Sequence, residues 1–177
     1  MKKTIWISAI MILFASLSLS AQTTKKDRRL KEDAADAKQD FINTDGMMSS
    51  LFNSAYGYVI FPNVGKGGIG IGGAAGNGIV YQGGAVIGKA KMTQVSIGFQ
   101  FGGQAYREVI FFESQEALDR FKGDNFEFSA QASAVAAKAG ASANVKYRDG
   151  VMIFTQQKGG LMYEASIGGQ KFDFTAW

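Results

Sequence analysis

The spacing of apolar residues divides the chain into an N-terminal helical zone and a longer zone of strands. Residues 22–46 are polar and carry one stripe with helical spacing, formed by Leu30, Ala34, Ala37 and Phe41. Such a stripe typically packs on a core, and its alternative use is contact with a membrane surface. Asp45-Gly46 interrupts this helix. Thr44 is positioned to cap a second short helix through Met47, Met48, Leu51 and Phe52.

From Ala55 onward, glycine, aromatic and β-branched residues predict strands. "AYGYVIF" at 55–61 predicts a strand that ends at Pro62, and "AYREVIFF" at 105–112 predicts another. "TQVSIGFQFGG" at 93–103 alternates, so we expect its apolar side chains on one face and its polar side chains on the other. The expected apolar face holds Val95, Ile97, Phe99 and Phe101, opposite Gln94, Ser96, Gly98 and Gln100.

A short helix is predicted near 114–122, because Ser114 can cap its start and Gly123 can end it. The C-terminal segment predicts two or three strands joined by glycine turns at 159–160 and 168–169. The alanine- and serine-rich segment 129–145 suits either helix or strand, and its alternating small residues favour a strand. Together these elements predict an α+β fold. We expect a curled, largely antiparallel, glycine-rich β-sheet or barrel-like sheet with an N-terminal helical segment.

The first residues have the pattern of a cleaved secretory signal peptide over 1–21. Lys2 and Lys3 precede an apolar stretch that leads into small residues near Ala21. The stretch is short for a membrane-spanning helix, which needs about 20 apolar residues. We therefore expect export to the periplasm or the cell exterior, a polar helical segment at 22–46 and a single domain at 47–177.

The chain contains no cysteine and no histidine. This absence excludes the usual zinc, iron–sulfur and haem ligands and any Ser–His or Cys–His nucleophile pair. Carboxylates such as Glu108 and Glu113 remain, but their spacing of five would place them on opposite faces of one strand. We expect no enzymatic activity, no cofactor and no metal. Nucleic acid is not expected as a partner either, because no basic stripe is interleaved with aromatic residues.

The run "KGGIGIGGAAGNG" at 66–78 contains a G-x-G-x-x-G. A dinucleotide fingerprint also needs a helix directly after the glycines and an acidic residue about 20 positions on, and the sequence here continues as a strand. We therefore expect no nucleotide site. Gly68, Gly70 and Gly72 are instead expected on one bare face of a strand, where another backbone approaches closely. Gly73, Gly76 and Gly78 would then form a turn and the start of the next strand.

The stretch "GYVIFPNVGKGGIGIGGAAGNGIVY" at 57–81 resembles the SYLF domain family, which is found in yeast actin-patch regulators, plant FYVE proteins and exported bacterial proteins. The matching positions are Ile60, Phe61, Pro62, Lys66, Gly68, Gly70, Gly72, Gly76 and Gly78. "GFQFG" at 98–102 and "QKGGLMYEASIGG" at 157–169 extend the similarity, which covers 47–174. The resemblance implies lipid association, with phosphatidylinositol lipids bound by eukaryotic members and actin by some of them.

Basic residues provide the candidate lipid contacts. They are Lys25, Lys26, Arg28, Arg29 and Lys31 beside the helical stripe, and Lys66 in the glycine block. A basic cluster beside an amphipathic helix is typical of peripheral proteins on anionic lipid. We therefore expect a non-catalytic domain that binds anionic lipid or a membrane surface. The alternative is a structural module that binds protein partners through exposed sheet edges and has no lipid ligand.

Overall fold

The computed structural model describes residues 24–69, 71–97, 104–123, 126–129, 133–158 and 165–177. Three α-helices lie in these ranges: α1 at 24–44, α2 at Met48–Ser54 and α3 at Gln115–Lys122, with a 3-10 helix at Ala141–Asn144. The strands are β1 Gly57–Ile69, β2 Ile71–Gln82, β3 Ala85–Ile97, β4 Gln104–Phe112, β5 Phe126–Glu127, β6 Ser133–Ala136, β7 Val151–Gln157, β8 Ala165–Ser166 and β9 Gln170–Ala176.

These nine strands form one curled sheet in the order β5-β9-β3-β2-β1-β4-β7-β6-β8. Every pairing described is antiparallel except that of β6 with β7. The predicted α+β fold with a curled, largely antiparallel sheet is confirmed. The expected signal peptide at 1–21 lies outside the described residues, and the boundary between 22–46 and 47–177 stays a prediction.

The sheet has one hydrophobic cluster on each face, and helices cover both. One cluster contains Ala117, Leu118 and Phe121 of α3 together with inward residues of β1, β4 and β9. The other contains Ala34, Ala37 and Phe41 of α1 together with the opposite-facing residues of β1, β2, β4 and β7. These three α1 side chains are almost completely buried, so the helical stripe packs on the domain rather than facing a membrane.

Pro62 does not end the first strand, contrary to the prediction. β1 continues to Ile69, and its pairings with β2 and β4 both shift register around Phe61 to Val64. Such a bulge leaves ladder positions unpaired, so a residue without an N–H is tolerated in the middle of the strand.

The glycine block is a hairpin rather than a single strand. In the antiparallel pairing of β1 with β2, Gly68 lies opposite Gly72 and Ile69 opposite Ile71, so the chain reverses between them. The expected alternation along one strand is therefore wrong, and Gly73, Gly76 and Gly78 lie inside β2 rather than in a turn. Gly70 itself lies outside the described residues.

Close backbone approach does explain part of the glycine content. A Cβ on Gly78 would lie 2.7 Å from the carbonyl oxygen of Ile60 and 2.8 Å from the ring of Phe61. A Cβ on Gly76 would lie 3.0 Å from the carbonyl oxygen of Asn63. Both sites face the β1 bulge, which brings the two strands together. At Gly65 a Cβ would meet nothing within 4 Å, so crowding is confined to part of the run.

The predicted alternation of β3 holds for Gln94 and Val95, but the polar face is the buried one. Gln94 is buried, and its Nε2 donates to the carbonyl oxygen of Gly168 at 2.9 Å, whereas Val95 is 74% exposed. The buried face of β3 continues through Ala90 and Met92. Alternation gives two faces, but the neighbouring strand β9 decides which of them is covered. The block 98–102 lies outside the described residues.

The remaining local predictions have mixed outcomes. Ser114 Oγ accepts from Ala117 N at 3.3 Å and Gly123 follows α3, so the short helix is confirmed. Thr44 does not cap α2, because its hydroxyl donates to the Asp40 carbonyl, and the Met47 N–H is instead bonded to Asp45 Oδ1. In the described part of segment 129–145, Ser133–Ala136 form a strand and Ala141–Asn144 form the 3-10 helix. The turn at 168–169 is confirmed, and Gly159-Gly160 lies outside the described residues.

Candidate functional site

The basic start of α1 lies against the C-terminus of the chain. Lys31 Nζ lies 4.0 Å from the ring centroid of Trp177, and Lys89 Nζ of β3 lies 5.9 Å from it. The Lys89 ammonium also pairs with Asp27 Oδ1 at 3.1 Å, and the backbone N–H of Trp177 donates to the Ile87 carbonyl at 3.2 Å. A cation over an exposed aromatic ring contributes about 0.5–1 kcal/mol, so these contacts hold α1 and the C-terminus together.

This surface combines exposed apolar groups with positive charge. Trp177 is 45% exposed and Val86, at the start of β3, is 38% exposed. We call the patch the Trp177 surface and define it by Lys25, Lys26, Arg28, Arg29, Lys31, Val86, Lys89 and Trp177. Within it, Asp27 is paired with Lys89, and Glu32 lies 3.8 Å from Arg28 in an exposed ion pair. This region of the chain therefore contains six cations and two carboxylates, and its net charge is positive.

Lys66 does not belong to this patch. Lys89 lies opposite Ile79, and Ile79 lies opposite Ile60, so Lys66 is six residues further along β1. At about 3.3 Å per residue, this places Lys66 about 20 Å away along the strand direction. Of the six candidate lipid contacts, Lys31 contacts the Trp177 ring, and Lys66 lies apart from it. The other four lie in the same first turns of α1 as Lys31. Sequence analysis missed Lys89, Val86 and Trp177, because no spacing connects them with α1.

A second charged site lies between α1 and the bulge of β1. It is a cavity of about 420 Å³ lined by Asp33, Asp36, Asp40, Asn63, Arg107 and Lys158, among others. Arg107 pairs with Asp40 Oδ2 at 2.6 Å, and the Lys158 ammonium donates to Asn63 Oδ1. Burial and the nearby Arg107 lower the pKa of Lys158. The charges here largely satisfy one another and fix α1 against β1 and β4.

The two carboxylates considered for catalysis, Glu108 and Glu113, lie in different environments. Glu108 is completely buried, and Gln170 Nε2 donates to its Oε2 at 3.0 Å. Glu113 is exposed and follows the end of β4, so the expected geometry of two faces of one strand does not apply. In the described ranges no group of three or more acidic side chains could hold a metal ion, and no helix is long and apolar enough to cross a membrane.

Comparison with known proteins gives a family match over part of the chain. Residues 93–175 match the model of the Ysc84 family, described as Las17-binding protein actin regulator. The chain is also 29% identical over 158 residues to Beta cell expansion factor A of Aeromonas veronii. That alignment covers 87% of this chain and 59% of the relative, so the chain spans about three fifths of the relative's length. The resemblance to the SYLF family is therefore confirmed for residues 93–175, which match the model of this actin-regulator family, a family of binding domains.

Proposed function

We propose that this chain is a non-catalytic domain that binds the surface of anionic lipid membranes through the Trp177 surface. The observation that carries the proposal is the half-exposed Trp177 ring beside Lys31 and Lys89 and the basic first turns of α1. Trp side chains favour the headgroup region of a membrane, where the ring has an apolar body and a polar N–H. Each basic residue near an anionic surface contributes about 1 kcal/mol.

The binding is expected to be peripheral and dependent on salt. The apolar stripe of α1 is buried in the fold, so only Trp177 and Val86 offer large exposed apolar groups on this patch. Charge therefore provides most of the attraction. At 1 M salt the Debye length falls to about 3 Å, and the interaction should be largely lost.

The alternative, a module that binds proteins through open sheet edges, has less support. The outermost strands in the sheet order are β5 and β8, and in the described ranges each of them covers two residues. Short edge strands offer few backbone groups for pairing with another chain. The description of the family as actin regulators leaves a protein partner open, and no residue of this chain is assigned to one.

Sedimentation with vesicles tests the proposal. The purified chain is mixed with vesicles of phosphatidylcholine alone, or of phosphatidylcholine with phosphatidylglycerol, at about 0.1 M and 1 M salt. The test variant replaces Lys25, Lys26 and Arg29 by Gln, and the matched control replaces Lys122, Lys138 and Lys171 by Gln. Loss of three contacts should weaken binding roughly a hundredfold, while the control binds like the wild type.

Trp177→Ala should weaken binding as well, and Trp177→Phe should retain part of it. Equal losses in the test variant and the control would show that only net charge matters and would refute the Trp177 surface. Vesicles containing a phosphatidylinositol phosphate at matched charge show whether the headgroup is selected. Point substitutions are preferable to a truncation at Phe41, because such a truncation removes Ala34 and Ala37 from the core.

We also propose that the chain is exported after cleavage near Ser20 or Ala21, on the basis of the N-terminal pattern. The test is expression in a bacterial host, followed by cell fractionation and measurement of the intact mass. A mature protein in the periplasm or the medium without its first 20 or 21 residues is expected. An uncleaved protein in the cytoplasm would refute this part of the proposal.

A further inference from the structure

A groove lies where the two ends of the curled sheet approach each other. Its walls come from β5 at one end of the strand order and from β7 and β6 near the other end, and Arg120 of α3 and residues 144–149 complete the rim. The cavity measures about 940 Å³. Pockets for small-molecule ligands typically measure about 300–1,000 Å³, so the groove is large enough for such a ligand.

The floor of the groove is apolar and fixed in place. Phe126 and Phe128 line it from one side, and Val151 and Ile153 line it from the other. The ring of Phe126 contacts those of Phe128 at 5.3 Å, Phe121 at 5.6 Å and Phe172 at 5.9 Å between centroids. Phe126 and Val151 are only partly buried, so apolar surface continuous with the core is exposed inside the groove. Such a surface gains free energy when a hydrocarbon covers it.

The rim of the groove is positive. Arg120, Lys146 and Arg148 line it together with Glu127 and Asp149. The Glu127 carboxylate already pairs with Lys171 at 3.4 Å, which leaves three cations against Asp149. Arg148 is held at the mouth by its reciprocal backbone hydrogen bonds with Val151, at 2.9 and 3.0 Å. The turn between them has positive φ at Asp149 and Gly150.

We propose that this groove binds a single-chain anionic amphiphile, such as a long-chain fatty acid or a lysophospholipid. The hydrocarbon chain lies on Phe126 and Val151, and the anionic headgroup is bound by Lys146 and Arg148. The apolar floor selects the chain, and the positive rim selects the charge. This site lies inside the fold and goes beyond binding to a membrane surface. It does not require that the Trp177 surface contacts membranes.

The test is a titration in solution, without vesicles, so that its result is separate from that of the sedimentation experiment. A fluorescent long-chain fatty acid is added to the purified full-length chain, and the bound probe is displaced with palmitate, octanoate or hexadecanol. Saturable binding of one probe per chain is expected. Palmitate should displace the probe at much lower concentration than octanoate, because the shorter chain covers less of the floor.

Two variants locate the site. Val151→Trp fills the floor and should weaken the binding of both palmitate and hexadecanol at least tenfold. Replacement of Lys146 and Arg148 by Gln removes charge from exposed side chains, so the fold is retained. This variant should weaken palmitate about tenfold and leave hexadecanol unchanged, because a hydrogen bond to a charged group contributes about that much. The matched control replaces Lys122 and Lys138, which do not line the groove.

The absence of saturable binding would overturn the proposal, as would equal weakening of palmitate by the control variant. A peptide that displaces the probe when palmitate does not would show that the groove takes a protein segment, and it would also overturn the proposal. If Val151→Trp does not fold, the substitutions at Lys146 and Arg148 still decide the result, because their selectivity between palmitate and hexadecanol does not depend on Val151.

Discussion

Glu108 should make the stability of this protein fall as the pH rises from 5 to 8. The side chain is completely buried on β4, between Phe61 of β1 and Thr155 of β7. Burial raises the pKa of Glu108 to about 7, and the hydrogen bond from Gln170 opposes this rise. Within the described ranges, Glu108 Oε1, Thr155 Oγ1 and Gln170 Oε1 are buried oxygens that form no hydrogen bond. A proton on Glu108 removes the buried charge and makes its carboxyl a hydrogen-bond donor.

The sign of the effect follows from linkage. The pKa of the carboxyl is 4.5 in the unfolded chain and about 7 in the folded protein, so the folded state holds a proton that the unfolded state releases. The associated stability is fully present below pH 4.5 and is lost as the pH rises through 7. At about 1.4 kcal/mol per pH unit, the full loss is roughly 3 kcal/mol, of which about 2.5 kcal/mol falls between pH 5 and 8.

The chain has no histidine, so no imidazole titrates between pH 5 and 8 and obscures the effect of Glu108 on stability. The perturbation is Glu108→Gln, which has nearly the same shape, stays neutral and adds an N–H donor for the neighbouring oxygens. The variant should match the wild type near pH 5 and be more stable by roughly 2–3 kcal/mol at pH 8. Its melting temperature at pH 8 should be about 5–10 °C higher.

The assay is urea unfolding at a series of pH values, with Glu113→Gln as the control because Glu113 is exposed. The control should keep the slope of the wild type. A wild-type stability that is flat or rises between pH 5 and 8 would refute the reasoning, and so would a Glu108→Gln variant with an unchanged slope. Either result would mean that the carboxyl is ionised in the folded protein and is compensated by a group that these contacts do not include.

Three further predictions concern packing, a buried hydrogen bond and nucleotides. Gly78→Ala should lower the free energy of unfolding in urea by about 1–3 kcal/mol, because its Cβ would lie 2.7 Å from the Ile60 carbonyl oxygen. Gly65→Ala is the control: its Cβ would meet nothing within 4 Å, so the free energy of unfolding should change by no more than about 0.5 kcal/mol. Equal effects of the two substitutions would contradict the crowding argument. Asp45→Ala should lower the free energy of unfolding by about 2–3 kcal/mol in the same assay, because Asp45 Oδ2 accepts hydrogen bonds from the Ser142 N–H at 2.8 Å and from the Ser142 hydroxyl at 2.7 Å. Asp36→Ala, at an exposed position, is the control. A loss no larger than that of the control would show that this buried contact does not stabilise the fold. Millimolar NAD or ATP should not raise the melting temperature. A ligand at 100 times its dissociation constant would add about 2.7 kcal/mol to the free energy of unfolding, so a clear rise would indicate a nucleotide site in the glycine block.

The sequence by itself determined the type of most elements, including α1, α3 and the strands β1 and β4. The stripe of α1, the cap at Ser114 and the clusters of β-branched and aromatic residues depend on contacts between near neighbours, and local spacing reports these directly. The lack of a helix after the G-x-G-x-x-G was visible in the same way. The absence of cysteine and histidine excluded the usual zinc, iron–sulfur and haem ligands without any knowledge of tertiary contacts.

Only the tertiary structure decided what lies opposite each residue. Local spacing could not show that β1 continues through Pro62, that β1 and β2 reverse within the glycine block, or that Gln94 rather than Val95 is buried. Each depends on pairing with a strand distant in sequence, which sets register and covers one face. The Trp177 surface joins α1, β3 and the C-terminus, and the groove joins strands from opposite ends of the sheet order. Such sites arise from the curl of the sheet and from helix docking, so no sequence interval encodes them.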